Sequence, residues 1–239
     1  MACCDERSAG GLRDNRYVSE IAPFADVAGD PDTTLDVLAL ALAGEFREVD
    51  AAAAIARLDS LGVELSAAAD QTDRTPKATA IACRQVLGDA RGFIGDQAQY
   101  DHPDNSMLDL VLTRRRGLPI LLSVVYVEVA RRAGIELAGV GLPGHFVVGH
   151  FGADPPVLLD PFTGGATVTT DAAQELIRPW DAREIAMRML NNLVAAYQRR
   201  GDLARALHAA TMRMALPVAE PHLQDVLAAE LRALQARLN

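Results

Sequence analysis

An apolar stretch near the middle of the chain constrains the fold more than any other feature of the sequence. Residues 116–150, RGLPILLSVVYVEVARRAGIELAGVGLPGHFVVGH, contain a long apolar run that stops at Gly134 and two shorter runs separated by Pro-Gly. A proline in the first turn and a glycine at the stop are typical of a helix, whereas β-branched runs around Pro-Gly are typical of a hairpin. The stretch predicts a helix from Pro119 and then two strands. Residues 156–160 and 166–170 predict a third and a fourth strand.

The predicted central helix is apolar around most of its circumference. Its polar residues Glu128, Arg131 and Arg132 fall within one narrow arc, given about 3.6 residues per turn. A helix with so little polar surface is expected to be buried. Ser123 points away from the polar arc. We interpret it as a buried hydroxyl bonded to the carbonyl of Pro119 one turn earlier, with a nucleophile as the alternative.

Two ionisable residues stand at favourable positions on the predicted strands. His145 begins one strand and Asp160 ends the next, so the two can be neighbours across an antiparallel sheet. A carboxylate that orients an imidazole is the acid–histidine half of a nucleophilic triad. His150 is an odd number of positions from His145 and is expected to face the other side of the sheet, at the surface or the edge. A metal site shared by the two histidines is therefore disfavoured.

The rest of the chain predicts helices around this α+β core. Residues 32–105 contain helical patterns that begin near Asp32, Asp50 and Thr75, and Gly62 is a candidate interruption of the second. The predicted organisation is a mobile arm at 1–31, a helical N-terminal subdomain at 32–105, the core at 106–172 and C-terminal helices at 173–239. In the last of these, the spacing of one tetratricopeptide-like unit is matched by Leu193, Tyr197, Gly201, Asp202, Ala206, Leu207 and Pro217.

The loop at residues 92–106 is rich in polar residues and is punctuated by glycine and proline. Ser106, with Asp109 three residues later, predicts the cap of the next helix. An alternative places the loop, with Tyr100 and Asn105, at the rim of a site.

Composition narrows the classes of function. A net charge of −9 and a pI near 5.0 disfavour a nucleic-acid binder, which needs a basic face. No apolar run approaches the roughly 20 residues that cross a bilayer, and the N-terminus lacks the apolar segment of a signal peptide. We expect a cytoplasmic protein. Cys3 and Cys4 lie in a polar tail, and Cys83 lies in a helical pattern that predicts a buried, inert thiol.

The run GFIGDQAQYDHPDNSMLDLVLTRRRGLPILLSVVYVEVARRAGIELAGVGLPGHFVVGH, with LLDPFTGG after it, resembles the bacterial SirB-type transglutaminase-like family. The resemblance covers residues 92–165 and continues more weakly into NNLVAAYQRRGDLARAL. It implies a papain-like core, in which a buried helix packs on a small antiparallel sheet, followed by tetratricopeptide-type helices. It also implies that His145 and Asp160 take the places of the transglutaminase histidine and aspartate.

The chain departs from active transglutaminases at the front of the helix. The position that the resemblance assigns to the catalytic cysteine is Pro119, which has neither a nucleophile nor a donor N–H. The sequence therefore predicts a non-catalytic module that binds a protein or peptide in a cleft lined by Pro119, Asn105 and Tyr100. Neither a nucleic acid, a membrane, a cofactor nor a metal is expected.

Two catalytic alternatives remain open from the sequence. In the first, an acyl hydrolase or acyltransferase uses Ser123 as the nucleophile, His145 as the base and Asp160 as the orienting group. In the second, which we rank lower, His102, Asp104 and His145 bind a metal ion.

Overall fold

A computed structural model describes residues 21–169, 177–217 and 220–237. A small antiparallel sheet carries one buried helix on its face, and further helices lie before and after this core. The predicted α+β fold class is confirmed. Within the described ranges, no helix has the length and apolar character that crossing a membrane requires.

The N-terminal part is helical and well capped. Asp50 and Thr75 accept hydrogen bonds from the backbone N–H groups of Ala53 and Ala78. Gly62 does not interrupt its helix, which runs through that position. The elements are α1 Phe24–Ala28, α2 Leu35–Gly44, α3 Ala51–Ala69 and α4 Pro76–Cys83, which continues as a π-helical stretch Arg84–Ala90.

The described part of the predicted mobile arm is docked on the rest of the protein. Helix α1 lies within it, and Phe24 is only 1% exposed. The Phe24 backbone N–H donates to Glu45 Oε1 at 3.0 Å, which ties this segment to the end of α2. Residues 1–20, with Cys3 and Cys4, lie outside the described residues.

The middle of the chain places one long helix against the sheet. Strand β1 Ile94–Gly95 pairs in parallel with β2 Arg116–Gly117, and α5 Leu108–Arg114 lies between them in sequence. Helix α6 Pro119–Arg132 follows, with proline at its first position, where no backbone N–H is needed. Eleven of its fourteen residues are buried, as the apolar pattern predicts.

Four strands form the main sheet in the order β3-β4-β5-β6. Leu142 pairs with His145 across the predicted Pro-Gly turn, where Gly144 has a φ of +71°. That conformation favours glycine, because a side chain there would strain the backbone. The strands are β3 Ala138–Leu142, β4 His145–His150, β5 Val157–Asp160 and β6 Ala166–Val168.

The C-terminal part contains α7 Ala182–Arg199, α8 Leu203–Met212 and α9 Pro221–Ala236. Helix α7 begins with a capping box, in which Asp181 accepts from the backbone N–H of Glu184 and the Glu184 side chain accepts from that of Asp181. Gly201, with a φ of +73°, turns the chain between α7 and α8, and Asp202 caps α8.

Two residues of the polar arc of α6, Glu128 and Arg132, face other helices, whereas Arg131 is exposed. Glu128 is 2% exposed and Asp36 of α2 is 3% exposed. Arg132 joins them, with Nη2 2.5 Å from Asp36 Oδ2 and Nη1 2.8 Å from Glu128 Oε2. Burial alone would raise the pKa of Asp36, but hydrogen bonds from Arg132 and Thr34 outweigh burial and lower it. Arg132 thus neutralises carboxylates that would be costly to bury alone.

Gly62 of α3 makes room for this arginine. A methyl group at position 62 would lie 2.5 Å from Arg132 Cβ, which belongs to the fixed root of that side chain. We predict that Gly62→Ala lowers the free energy of unfolding by about 1–3 kcal/mol, the usual cost of overpacking. Urea denaturation measures this change in the free energy of unfolding.

The matched control is Gly44→Ala at the end of α2, where a methyl group would meet nothing within 4 Å. Alanine favours helix over glycine by up to about 1 kcal/mol, so this variant should be as stable as the wild type or more so. A Gly62→Ala protein that gained stability as well would contradict the packing argument.

Candidate functional site

The strand register brings His145 and Asp160 together on one face of the sheet. Val148 pairs with Leu159, so Asp160 comes opposite Val147, and His145 lies two residues from Val147 on the same face. His145 Nε2 lies 3.0 Å from Asp160 Oδ2. The histidine side chain is 34% exposed and the aspartate side chain 10% exposed, so a ligand can reach the imidazole.

Asp160 is held by a second contact. Its Oδ1 accepts from the backbone N–H of Phe162 at 2.9 Å, and this bond caps a short 3₁₀ turn at Pro161–Thr163. One carboxylate oxygen therefore fixes the turn and the other faces His145. The imidazole has a second ring nitrogen, Nδ1, which can accept a hydrogen bond when the ring is neutral.

The front of α6 lacks a reactive side chain. Pro119 is buried at the first helical position. Ser123 is 0% exposed, and its Oγ donates to the carbonyl of Pro119 at 2.8 Å, which is the bond predicted from the sequence. The Ser123 hydroxyl, the candidate nucleophile, is enclosed and already bonded to the backbone.

The loop at residues 92–106 reaches this site through two residues. Asn105 is fully buried, and its Nδ2 donates to the carbonyl of Gln99 at 2.7 Å. Its backbone carbonyl accepts from the N–H of Leu118 at 3.1 Å, which joins the loop to the start of α6. Tyr100 is 46% exposed, and its ring packs edge-on with that of Phe162, with 5.8 Å between the ring centroids. Of the residues predicted to line a cleft, Tyr100 is open to solvent, whereas Pro119 and Asn105 are enclosed.

Phe162 is a site residue that the sequence reasoning did not single out. Its ring packs directly on Gly95, where a methyl group would lie 2.3 Å from the ring. Phe162 thereby connects the Asp160 turn to Tyr100 and to β1. The signal available was an aromatic residue two positions after a strand-ending aspartate, but only the loop contact reveals its role.

Two expectations about polar residues were wrong. His150 is 8% exposed rather than at the surface, and burial lowers its pKa. It ends β4, and its Nδ1 accepts from the backbone N–H of Gly152 at 3.2 Å. Ser106 does not cap α5, which begins at Leu108 without a side-chain cap because the 3₁₀ turn Pro103–Ser106 intervenes.

The three residues considered for a metal site do not come together as one group. His102 Nδ1 lies 3.5 Å from Asp104 Oδ1, and His145 contacts Asp160. Across the described part of the chain, no group of three or more His, Cys, Asp or Glu side chains is arranged to hold a metal ion.

Comparison with protein families agrees with this architecture. The family model described as the transglutaminase-like superfamily matches residues 52–208. The chain belongs to the transglutaminase-like superfamily. The match includes α3 to α6, the sheet with His145 and Asp160, and most of the α7–α8 pair.

The chain is also similar to curated proteins from bacteria and mammals. A UPF0162 protein of Xylella fastidiosa is 34% identical over 158 residues, covering 59% of this chain and 56% of that protein. A UPF0162 protein of Pseudomonas aeruginosa is 35% identical over 125 residues, covering 52% and 45%. F-box only protein 21 of Mus musculus is 31% identical over 137 residues, covering 50% and 22%. The chain spans about half the length of these UPF0162 relatives. No solved structure matches it.

Cys83, the one cysteine within the described residues, is unsuited to act as a nucleophile. Cys83 is 0% exposed, and burial raises the pKa of its thiol to about 12. The thiol is therefore protonated near neutral pH, and the thiolate is the reactive form. We predict that Cys83 reacts with a thiol-exchange reagent at pH 8 only when urea unfolds the protein.

The measurement uses a Cys3→Ser, Cys4→Ser background so that Cys83 is the thiol counted. Rapid labelling of the folded protein at pH 8 would contradict the expected burial.

Proposed function

We propose that this chain is a non-catalytic transglutaminase-like module of the SirB type, which binds a protein or peptide segment at the His145–Asp160 site. The observation that carries the proposal is the front of α6. Pro119 stands at the first helical position, and Ser123 is buried and bonded to the Pro119 carbonyl. A triad needs a nucleophile within hydrogen-bond reach of its base and open to the substrate.

The exposed groups at the site suit the recognition of an extended segment. His145 is partly open to solvent and is oriented by Asp160, so it can bond a peptide N–H. Tyr100 and Phe162 form an adjacent aromatic surface, which binds apolar side chains at low entropic cost.

The C-terminal helices complete the proposed module. We propose that α7 and α8 form a tetratricopeptide-like unit, supported by the glycine turn at Gly201 and by the buried Leu193 and Ala206. Arg199 of α7 bonds Asp101 at 2.5 Å, next to Tyr100. This ion pair links the C-terminal helices to the loop at the site. The division into parts at 32–105, 106–172 and 173–239 belongs to the same proposal.

One observation favours a second candidate, an acyl hydrolase or acyltransferase. The contact of His145 with Asp160 is the one that a general base needs. In that case Ser123 must leave the carbonyl of Pro119 and reach the imidazole before it can attack.

A reagent screen separates the two candidates. We predict that neither a fluorophosphonate nor a glutamine–amine transfer assay gives a covalent product with the wild-type protein, because no activated nucleophile among the described residues reaches the site. Intact-protein mass spectrometry detects the adduct. If the wild-type protein were labelled and both Ser123→Ala and His145→Ala were not, the hydrolase would replace the binding proposal.

Peptide selection tests binding itself. We predict that peptides selected from a display library on the wild-type protein bind Tyr100→Ser about ten-fold or more weakly, because an exposed aromatic anchor is lost. Isothermal calorimetry gives the dissociation constants. Val63→Ser on α3, where Val63 is 71% exposed, is the control and should bind as the wild type does. If the selected peptides bound Tyr100→Ser and His145→Ala with the same affinity as the wild type, that result would contradict binding at this site.

A further inference from the structure

A groove lies away from the His145–Asp160 site, between helix α4 and the last two strands of the sheet. Its volume is about 770 Å³. Ile81 of α4 is 43% exposed there. The apolar part of the lining includes Ala80, Ile81, Pro156, Val157, Leu158 and Val168.

A smaller cavity of about 340 Å³ adjoins this groove and shares Arg84 and Asp89 with it. Ile94, 37% exposed, and Arg116 also line the smaller cavity. Because the two cavities share lining residues, we treat them together and call them the α4 groove.

The charge of the α4 groove is opposite to that of the protein. The chain carries a net charge of −9, yet Lys77, Arg84 and Arg116 line the groove, and among the described lining residues Asp89 is the one carboxylate. Lys77 is also the only lysine of the sequence. Arg84 Nε is 3.7 Å from Asp89 Oδ2, too long for a hydrogen bond, so the carboxylate leaves the guanidinium donors available. An acidic ligand would be attracted to this strip and repelled by most of the remaining surface.

The groove also borders the edge of the sheet. Strand β6 is last in the strand order and pairs with β5 through Leu158–Val168, Leu159–Thr167 and Asp160–Ala166. In the described part of the chain, no strand pairs with the other side of β6. An edge strand presents backbone N–H and C=O groups that an extended peptide can pair with, while pockets beside it accept alternate side chains.

We propose that the α4 groove binds an extended acidic–apolar segment of a partner protein by strand addition to β6. Apolar side chains of that segment fill the space around Ile81, and its carboxylates face Lys77, Arg84 and Arg116. The proposal does not depend on the function proposed for the His145–Asp160 site, because neither His145 nor Asp160 lines the groove.

The test uses a fluorescein-labelled octapeptide of alternating valine and glutamate, with a valine–lysine octapeptide as its matched control. Fluorescence anisotropy should show saturable binding of the glutamate peptide to the full chain and much weaker binding of the lysine peptide. A glutamate peptide that is N-methylated on alternate residues should lose most of its affinity, since strand addition needs its N–H groups. Equal binding of the glutamate and lysine peptides, or of the methylated and unmethylated ones, would overturn the proposal.

Variants then locate the site. Arg84→Glu and Ile81→Ser change exposed side chains, and each should weaken the glutamate peptide about ten-fold. Val63→Ser is again the control and should not change the affinity. Tyr100→Ser should also leave the affinity for the glutamate peptide unchanged. A failure of the groove proposal can therefore be distinguished from a failure of the proposal for the His145–Asp160 site. Affinity that survives both groove variants would overturn the assignment.

A second copy of this chain is the competing occupant of the groove. Sedimentation equilibrium should show the same monomer–dimer distribution for the wild type and for Ile81→Ser. A dimer that Ile81→Ser dissociates, without binding of the glutamate peptide, would assign the groove to self-association and overturn the proposal.

Discussion

The ion-pair network on the polar arc of α6 fixes how that helix is rotated about its axis. A helix that is apolar on nearly every side could pack against the sheet in several rotational settings with similar hydrophobic gain. Glu128 and Arg132 remove this freedom, because only one setting places them against Asp36 and leaves no buried charge unpaired. With that setting fixed, the remainder of the α6 circumference, including Ser123, is turned into the apolar interior, and Pro119 begins the helix beside the loop that carries Asn105.

The proposed binding site depends on this packing from two directions. The sheet supplies an oriented imidazole from β4 and its carboxylate from β5. The loop before α5 supplies Tyr100, whose ring contacts that of Phe162 within the turn capped by Asp160. The contact between His145 and Asp160 thus occurs in a protein whose central helix begins with Pro119 and carries no nucleophile in its first turn. A recognition role accounts for both facts, since orientation of the histidine is as useful for binding as for proton transfer.

Sequence reasoning succeeded where a local pattern determines the structure. The apolar helix, the Pro-Gly hairpin, the pairing of His145 with Asp160 and the bond from Ser123 to Pro119 all follow from periodicity and spacing. It failed where contacts between distant segments decide. His150 was expected at the surface because its spacing from His145 gives only the opposite face of the sheet, and nothing local shows that this face is also covered. The role of Phe162 was likewise hidden, because its partners Gly95 and Tyr100 lie more than sixty positions earlier.

The double attachment of Asp160 gives one carboxylate two separate structural roles. Since one carboxylate both ends a strand by capping a turn and steers an imidazole, selection for a folded chain alone would keep it. A lineage that abandoned chemistry could therefore retain the outward appearance of an active centre indefinitely. In proteins built this way, the presence of the nucleophile indicates an enzyme more reliably than the presence of the histidine–aspartate pair.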